Sequence, residues 1–391
     1  MDQSSLEGVI DFTSTEPLDE VQGYNPSHVF DQIINYCEPL QASAPYKRIT
    51  LIRATYEHIY LKDNFLKLFF QYIAYEIHSK DFSHGLIYIA GINSMTISQK
   101  VEVETHLSTF GDYLFDNFFL LLRALTRQTP QPSSASLSSP TFQCNEQTGS
   151  TGSTSSTERL ATLRAQCLIR DRHRCVISRK FDYREGRKRF KKHGENNAYN
   201  DDGLLLKDED LALSFLEVAQ IIPHSLMSFS IIHGESKLND SRKTALEILN
   251  MFDPNLIQLI NGPEIDQPRN AITLTREFRR QFDNFSIYFD PINNQPHTYR
   301  IDSAHHFKTL RDPIFPITRT LYLTAKQHPI DPPSPRILAF HRACVTILKL
   351  SNARSYMNQV VEALLGGDGV VISADGSSDL GRMVRLKWAI S

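Results

Sequence analysis

The sequence predicts an α+β protein with a helical N-terminal domain, a disordered linker, and a second domain of short strands and helices. Apolar residues keep helical spacing over residues 48–80 and 101–126. Residues 129–157 are dominated by Ser, Thr, Pro, Gln and Gly, which leaves too little apolar surface to offset the entropy lost on ordering. After this stretch, short apolar runs bounded by turn residues alternate with helical patterns.

The N-terminal domain is predicted to span residues 1–128. Its first 24 residues are acidic and rich in turn formers, and a short helix is expected at 29–36. Aromatic residues recur along 101–126 and could line a ligand pocket, but their helical spacing is more typical of a core. The purpose of this domain is open, and its helices could form the surface for a protein partner.

The composition restricts the classes of function. A chain of 391 residues with 41% hydrophobic residues is long enough for about two or three domains with cores. The formal net charge of -2 excludes a chain-wide attraction to anions, so any contact with nucleic acid requires a local basic patch. Five scattered cysteines without a C-x-x-C pair argue against a disulfide framework and a zinc knuckle.

The sequence also indicates where the protein acts. Its first 20 residues are acidic and polar, unlike a signal peptide. Its most apolar run, residues 115–125, is too short to cross a bilayer and contains two charged residues. We therefore expect no membrane partner and an intracellular location, nuclear or cytoplasmic.

The stretch from Leu216 to Asp283 is the centre of the second domain. An apolar run ends at Pro223, as a buried strand would, and a second strand is expected at Ala271–Leu274. Thr275 is a plausible N-cap for a helix that follows. Strand, long excursion, strand and helix is the order of elements in a small ββα-metal nuclease site.

These residues resemble the HNH endonuclease family, most closely its fungal branch. That branch reads roughly Glu-Ala-Ala-His-Ile-Ile-Pro, then Asn-Ala-Ile-Thr-Leu-Thr, then a helix with His before Phe-Asp. Asn270 matches the central Asn, and Phe282 with Asp283 matches the final pair. Gln220 stands where the first His belongs, and Arg279 stands where the last one belongs.

The resemblance covers about residues 158–352 and completes the predicted organisation. It places an HNH nuclease-like ββα-metal domain at 158–328. Residues 329–391 are then expected to form C-terminal helices and a terminal strand that pack on this domain. The strand is predicted because Val384, Leu386 and Trp388 alternate with basic residues, and it could pair with residues 370–373.

The resemblance implies phosphodiester hydrolysis, in which the first His is the general base and the last His helps to hold a divalent cation, Mg²⁺ or Zn²⁺. The amide of Gln220 cannot accept a proton near neutral pH, and the guanidinium of Arg279 would repel a cation. We therefore predict a nuclease-like module with lost or impaired activity and no metal ligands. It would act in nucleic-acid binding or protein interaction.

The alternative is an active metal-dependent endonuclease that uses substitute residues. His224 lies four residues past Gln220 and is the candidate base, although a loop histidine without a catalytic role is the simpler interpretation. Asn270 could hold the loop by hydrogen bonds, which would be a structural role even in an active enzyme.

Two groups of basic residues are candidates for nucleic-acid binding. The run at 179–193 interleaves aromatic residues with cations and is either a phosphate-binding segment, a nuclear address or a solvated loop. Arg276 and Arg280 flank Arg279 on the predicted helix, and together they could bind a phosphate or simply form an exposed basic face. The candidates in the run are Arg187, Lys188, Arg189, Lys191 and Lys192.

Overall fold

The chain folds as an α+β protein in the computed structural model, as the sequence predicts. The structure describes residues 18–128, 156–227, 230–232, 235–237, 239–305, 307–321, 330–365 and 380–390. The predicted linker at 129–157 lies outside these residues except for Ser156 and Thr157, which begin a helix. Residues 1–17 also lie outside them, as does the segment 370–373 with which the predicted terminal strand could pair.

The described residues form the following helices and strands. The helices are α1 (Pro26–Cys37), α2 (Arg48–His58), α3 (Lys62–Glu76), α4 (Phe82–Ala90), α5 (Ile97–Leu114), a π-helical segment (Phe115–Leu120), α6 (Leu121–Gln128), α7 (Ser156–Arg170), α8 (Tyr183–His193), α9 (Asp240–Phe252), α10 (Pro254–Ile260), α11 (Arg276–Asp283), α12 (Pro335–Leu350), α13 (Ala353–Leu365) and α14 (Leu380–Ile390). The strands are β1 (Leu216–Gln220), β2 (Ser230–Ile232), β3 (Glu235–Lys237), β4 (Ala271–Thr275), β5 (Ile287–Pro291), β6 (Thr298–Ser303) and β7 (Ile317–Thr320).

The chain divides into two compact units that interleave along the sequence. Of the described residues, those within 1–125, 225–262 and 340–391 form a helical unit, and those within 126–224 and 263–339 form a mixed unit. The sequence-based division differs in two places. It assigns the excursion 225–262 to the nuclease-like domain, and it expects the C-terminal helices to pack there.

Aromatic packing explains why these segments join the helical unit. Phe252 of the excursion stacks on Phe118 with ring centroids 5.4 Å apart, and Phe340 of α12 meets both rings edge-on. All three side chains are buried. The apolar periodicity of each segment predicts a buried face, but it does not specify which core that face enters.

The core interpretation of the aromatic stripe is confirmed. Leu107, Phe110, Leu114, Phe118 and Leu125 are fully buried. Phe110 also packs edge-on against Phe69, with ring centroids 5.2 Å apart. Burial of such side chains contributes about 1.5–3 kcal/mol each before the entropic cost of folding, so the stripe stabilises the helical unit.

The helix predicted for residues 48–80 is interrupted at Ile59, where the backbone is extended. The N–H groups of Tyr60 and Leu61 donate to the carbonyl of Met251, at 2.9 and 3.0 Å. The excursion thus supplies the acceptor that a continuous helix would have provided. The local periodicity of apolar residues does not predict long-range hydrogen bonds of this kind, so the interruption could not be foreseen from the sequence.

The terminal strand predicted at Val384–Trp388 is wrong, because this segment lies within α14. Strand alternation would place Val384, Leu386 and Trp388 on one face. Instead Leu386 is buried, while Val384 is exposed and Trp388 is 72% exposed. Arg382 of α14 is buried and forms ion pairs with Asp112 and Asp116, which ties the helix to the rest of its unit.

The mixed unit is built around the antiparallel pair β1–β4, in which Gln220 pairs with Ala271 and Glu217 pairs with Leu274. One face of the pair carries Val218 and packs against Leu160 and Cys167 of α7. Helix α11 contacts the same two strands. A separate antiparallel sheet has the order β5-β6-β7.

Residues 175–178 include the apolar pair Val176 and Ile177, but they form a turn and not a strand. The N–H of Cys175 donates to the carbonyl of Lys180 at 3.0 Å, which folds the chain back at once. The N–H of Val176 then donates to Thr273 of β4 at 2.9 Å. This turn therefore packs beside the β1–β4 pair but does not add a third strand to it.

Candidate functional site

The ββα frame predicted from the sequence is present in the mixed unit. Strands β1 and β4 pair, and α11 begins directly after β4, with Thr275 as its N-cap. The N–H of Phe278 donates to Thr275 Oγ1 at 3.4 Å. Phe278 and Phe282, on one side of this short helix, are buried. The two strands and the helix are therefore confirmed in their predicted order.

Asn270 is a structural clamp at the start of β4. Its side chain is buried and accepts a hydrogen bond from the N–H of Ile222 at 2.9 Å. Its Nδ2 donates to the carbonyls of Ile222 and Ile265, at 2.8 and 2.9 Å. Because Asn270 bonds both the N–H and the carbonyl of Ile222, it holds the chain that leaves β1 against the chain that enters β4.

Gln220 occupies the position of the expected general base and is also bonded within the protein. Its Nε2 donates to Asp266 Oδ1 at 3.0 Å and to the carbonyl of Ile265 at 3.2 Å. Its Oε1 accepts from the N–H of His224 at 3.1 Å. A buried amide bonded in this way orders its neighbours, and it offers no group that can take a proton from water.

His224 forms a close pair with Asp266. Their Nδ1 and Oδ1 atoms are 2.7 Å apart, and Arg159 Nε donates to the other carboxylate oxygen at 2.9 Å. Burial alone would raise the pKa of Asp266, but hydrogen bonds from His224, Arg159 and Gln220 outweigh it and lower that pKa. Because the ionised carboxylate only accepts, His224 carries its proton on Nδ1, which leaves Nε2 as the basic nitrogen.

Arg279 occupies the position of the expected metal-binding histidine, and its charge is compensated internally. Its side chain is 11% exposed. Its Nη1 lies 3.1 Å from Glu217 Oε2, and its Nε lies 3.3 Å from Asp283 Oδ2. Glu217 also pairs with the exposed Arg276 at 3.1 Å. Arg279 is therefore not presented as a phosphate ligand.

The residues at this position do not fit the divalent cation that the family resemblance implies. A cation would need oxygen or nitrogen ligands at about 2.0–2.6 Å, and the space between the carboxylates of Glu217 and Asp283 is taken by a guanidinium. Among the residues that the structure describes, no group of three His, Cys, Asp or Glu side chains could hold a metal ion.

The predicted site residues fall into two separate groups. Gln220 and Asn270 meet at the carbonyl of Ile265. Arg279 instead contacts Glu217, three residues earlier on β1, and side chains three apart on a strand point to opposite faces. Asp266 and Glu217 are not predicted as site residues from the sequence, because neither lies in a motif with the spacing of catalytic residues.

The basic run forms helix α8 rather than a solvated loop. Asp182 caps it by accepting from the N–H of Glu185 at 2.9 Å. The exposed cations are Arg184, Arg187, Lys188, Lys191 and Lys192. Arg189 is an exception, because its Nε pairs with Glu185 at 2.9 Å and its Nη2 pairs with Asp201 at 2.7 Å. Of the interleaved aromatics, Phe181 is buried and Tyr183 is exposed.

The exposed face of α8 borders a surface groove of about 630 Å³. A second groove of about 600 Å³ lies over the beginning of α11, where Lys180, Arg276 and Arg280 contribute cations and Glu277 and Asp312 contribute carboxylates. Phe215 lines both grooves. Sequence reasoning missed Phe215, because a single aromatic residue before a strand looks like part of the strand. The first groove is lined by Tyr183, Arg184, Arg187, Lys188, Lys191, Lys192 and Phe215.

Comparison with known proteins identifies one family. Residues 175–290 match the family model HNH_2, described as HNH endonuclease. The matched segment includes α8, β1, β4 and α11, so the chain contains an HNH-family domain. Neither a curated protein nor a solved structure matches the chain significantly. No helix in the described parts of the chain is both long and apolar enough to cross a membrane.

Proposed function

We propose that the HNH-family domain of this protein binds nucleic acid and has lost metal-dependent nuclease activity. The observation that supports this most directly is the ion pair of Arg279 with Glu217 and Asp283. The guanidinium of Arg279 places a fixed positive charge at the position where the family resemblance implies a metal ligand. The domain would then keep the frame of a nuclease and use it as a binding module.

The chemistry of the substituted residues supports the loss of catalysis. Hydrolysis of a phosphodiester needs a group that takes a proton from water and a cation that stabilises charge on the phosphate. Gln220 provides no basic atom, and loss of a general base alone costs about 10²–10⁴-fold in rate. Without the cation, several kcal/mol of transition-state stabilisation are lost as well.

The basic face of α8 supports nucleic acid as the ligand. Five exposed cations lie on this helix, whereas the whole chain has a net charge of -2, so the positive charge is concentrated locally. Neutralising phosphates releases condensed counterions, which favours binding without any base-specific contact. Arg276 and Arg280 add exposed cations at α11.

The second candidate function is phosphodiester hydrolysis that uses His224 as the general base. The distance of 2.7 Å between His224 and Asp266 favours it, because the carboxylate orients the imidazole and leaves Nε2 basic. In this alternative His224 would take the proton of an attacking water in place of the missing histidine. The cation would need ligands other than Glu217 and Asp283, which Arg279 occupies.

A plasmid-nicking assay with Mg²⁺, Mn²⁺ and Zn²⁺, together with anisotropy binding to labelled DNA and RNA, separates these functions. We expect the wild-type protein to bind nucleic acid with an affinity that falls as salt rises, and to leave the plasmid intact. Nicking that stops on addition of EDTA and in His224→Ala would establish the second candidate. Absence of binding to every nucleic acid at low salt would refute the first.

A further inference from the structure

Two exposed aromatic side chains form a pair in the α8 groove. Tyr183 is 41% exposed and Phe215 is 51% exposed, and their ring centroids lie 4.8 Å apart at an angle of 46°. Exposed aromatic surface of this kind marks an interaction site when it is grouped rather than scattered. The pair is not part of the hydrophobic core of the mixed unit.

The backbone holds this pair in place. The N–H of Tyr183 donates to the carbonyl of Ser214 at 2.8 Å, and the N–H of Ser214 donates to Phe181 at 2.9 Å. The N–H of Leu216 donates to Asp182 Oδ2 at 3.1 Å. Both rings are therefore attached to fixed backbone, so a ligand would meet them with little loss of conformational entropy.

Positive charge surrounds the aromatic pair. The guanidinium carbon of Arg184 lies 5.8 Å from the ring centroid of Phe215. Arg187, Lys188, Lys191 and Lys192 continue along the same face of α8 and line the same groove. From Arg184 to Lys191 the helix rises by about 10 Å, so the cations form a row that leads away from the rings.

We propose that Tyr183 and Phe215 are a stacking platform for an unpaired base, and that the ligand of this groove is single-stranded nucleic acid. The proposal rests on the nucleic-acid-binding function proposed above and specifies its substrate class. In a duplex, the faces of the bases are covered by their neighbours, so only the phosphates would be available to this groove. In a single strand a base can stack on the aromatic pair while its phosphates follow the cations of α8.

Stacking and charge can be tested separately because the aromatic residues are neutral. Anisotropy measurements would compare a labelled oligothymidylate of about 16 nucleotides, within the range of sites that single-strand binders cover, with a duplex of equal length. The variants are Tyr183→Leu, Phe215→Leu and their combination. Phe307→Leu is the matched control, since Phe307 is 70% exposed in the same unit but does not line the groove.

We expect the wild-type protein to prefer the single strand. Loss of one stacked base corresponds to about a 5- to 150-fold weaker affinity, so Tyr183→Leu and Phe215→Leu should each lose affinity within this range for the single strand. Affinity for the duplex should not change, nor should either affinity in Phe307→Leu. An oligonucleotide with 2-aminopurine should also lose quenching of its fluorescence in the aromatic variants.

Other results would overturn the proposal in distinguishable ways. Equal affinity of the wild type for both nucleic acids, with no effect of Phe215→Leu, would remove the stacking platform and leave general phosphate binding intact. Tighter binding to the duplex would do the same. If neither nucleic acid binds, the proposed function falls together with this inference. Thermal unfolding of each variant checks that a loss of affinity is not a loss of folding.

Discussion

Replacing Arg279 by Met tests whether its guanidinium compensates the two carboxylates beside it. Met keeps an unbranched apolar stem but removes the charge, which leaves Glu217 and Asp283 without their shared partner. Breaking a fully buried ion pair costs about 3–5 kcal/mol, whereas exposed pairs contribute about 0–1 kcal/mol. The three side chains are mostly but not fully buried, and Glu217 keeps Arg276. We therefore expect a loss of about 1–3 kcal/mol in unfolding free energy.

Arg279→His extends this test to the metal position. It removes the guanidinium and places an imidazole near two carboxylates, which are suitable ligands for Zn²⁺. Zn²⁺ at 100-fold above its dissociation constant would add about 2.7 kcal/mol of stability. Thermal unfolding with and without Zn²⁺ should show stabilisation of Arg279→His but not of the wild type or Arg279→Met.

The outcome can contradict this reasoning at two points. If Arg279→Met unfolds at the same denaturant concentration as the wild type, the ion pair does not hold the frame together. If Zn²⁺ stabilises the wild type as much as Arg279→His, the metal position is not taken by the guanidinium. A further loss of this stabilisation in His224→Ala would place the metal near Asp266 instead.

Charge and hydrogen bonding elsewhere in the mixed unit lead to three further predictions. The first concerns alanine at the four exposed cations that continue along α8, which are Arg187, Lys188, Lys191 and Lys192. These substitutions should lower the slope of log affinity against log salt by about 0.7 for each phosphate of a single strand that is no longer neutralised, as binding titrations at several salt concentrations would measure. Arg189→Ala should chiefly lower the stability of the protein. Asn270→Ala should cost about 2–4 kcal/mol in chemical unfolding, because it leaves buried backbone groups without partners. Burial alone would raise the pKa of Asp201, but bonds from His173 and Arg189 lower it to about 2. Its contribution to stability is thus present above the unfolded pKa and lost as pH falls towards 2. The stability difference between the wild type and Asp201→Asn should therefore vanish over that range.

The ββα frame could be predicted because its signals are local. The apolar run before Pro223 and the capping hydroxyl of Thr275 each act within a few residues. The partner of Arg279 could not be predicted in this way. Glu217 lies 62 positions earlier in the chain, and only the β1–β4 register and the packing of α11 bring the two together.

The errors in secondary structure also have a physical cause. Basic residues at 184–192 were compatible with a solvated loop, because charge reveals exposure but not backbone conformation. Helix α8 is fixed by its cap, Asp182, and by the inward pair of Glu185 with Arg189. The alternation at Val384–Trp388 matched a strand over too few residues to distinguish it from one turn of helix.

The bonding of the two substituted residues bears on how catalysis could be regained. Gln220 bridges Asp266, Ile265 and His224, while Arg279 bridges Glu217 and Asp283. Each is therefore part of the structure that surrounds it. Gln220→His would remove the acceptor of the His224 N–H, at a cost of about 1–3 kcal/mol if that group is left unsatisfied, whereas the carbonyl of Ile265 keeps its bond from Asn270. Restoring both histidines should thus restore metal binding more readily than hydrolysis, because the imidazole at 220 would enter a hydrogen-bond network that is built for an amide.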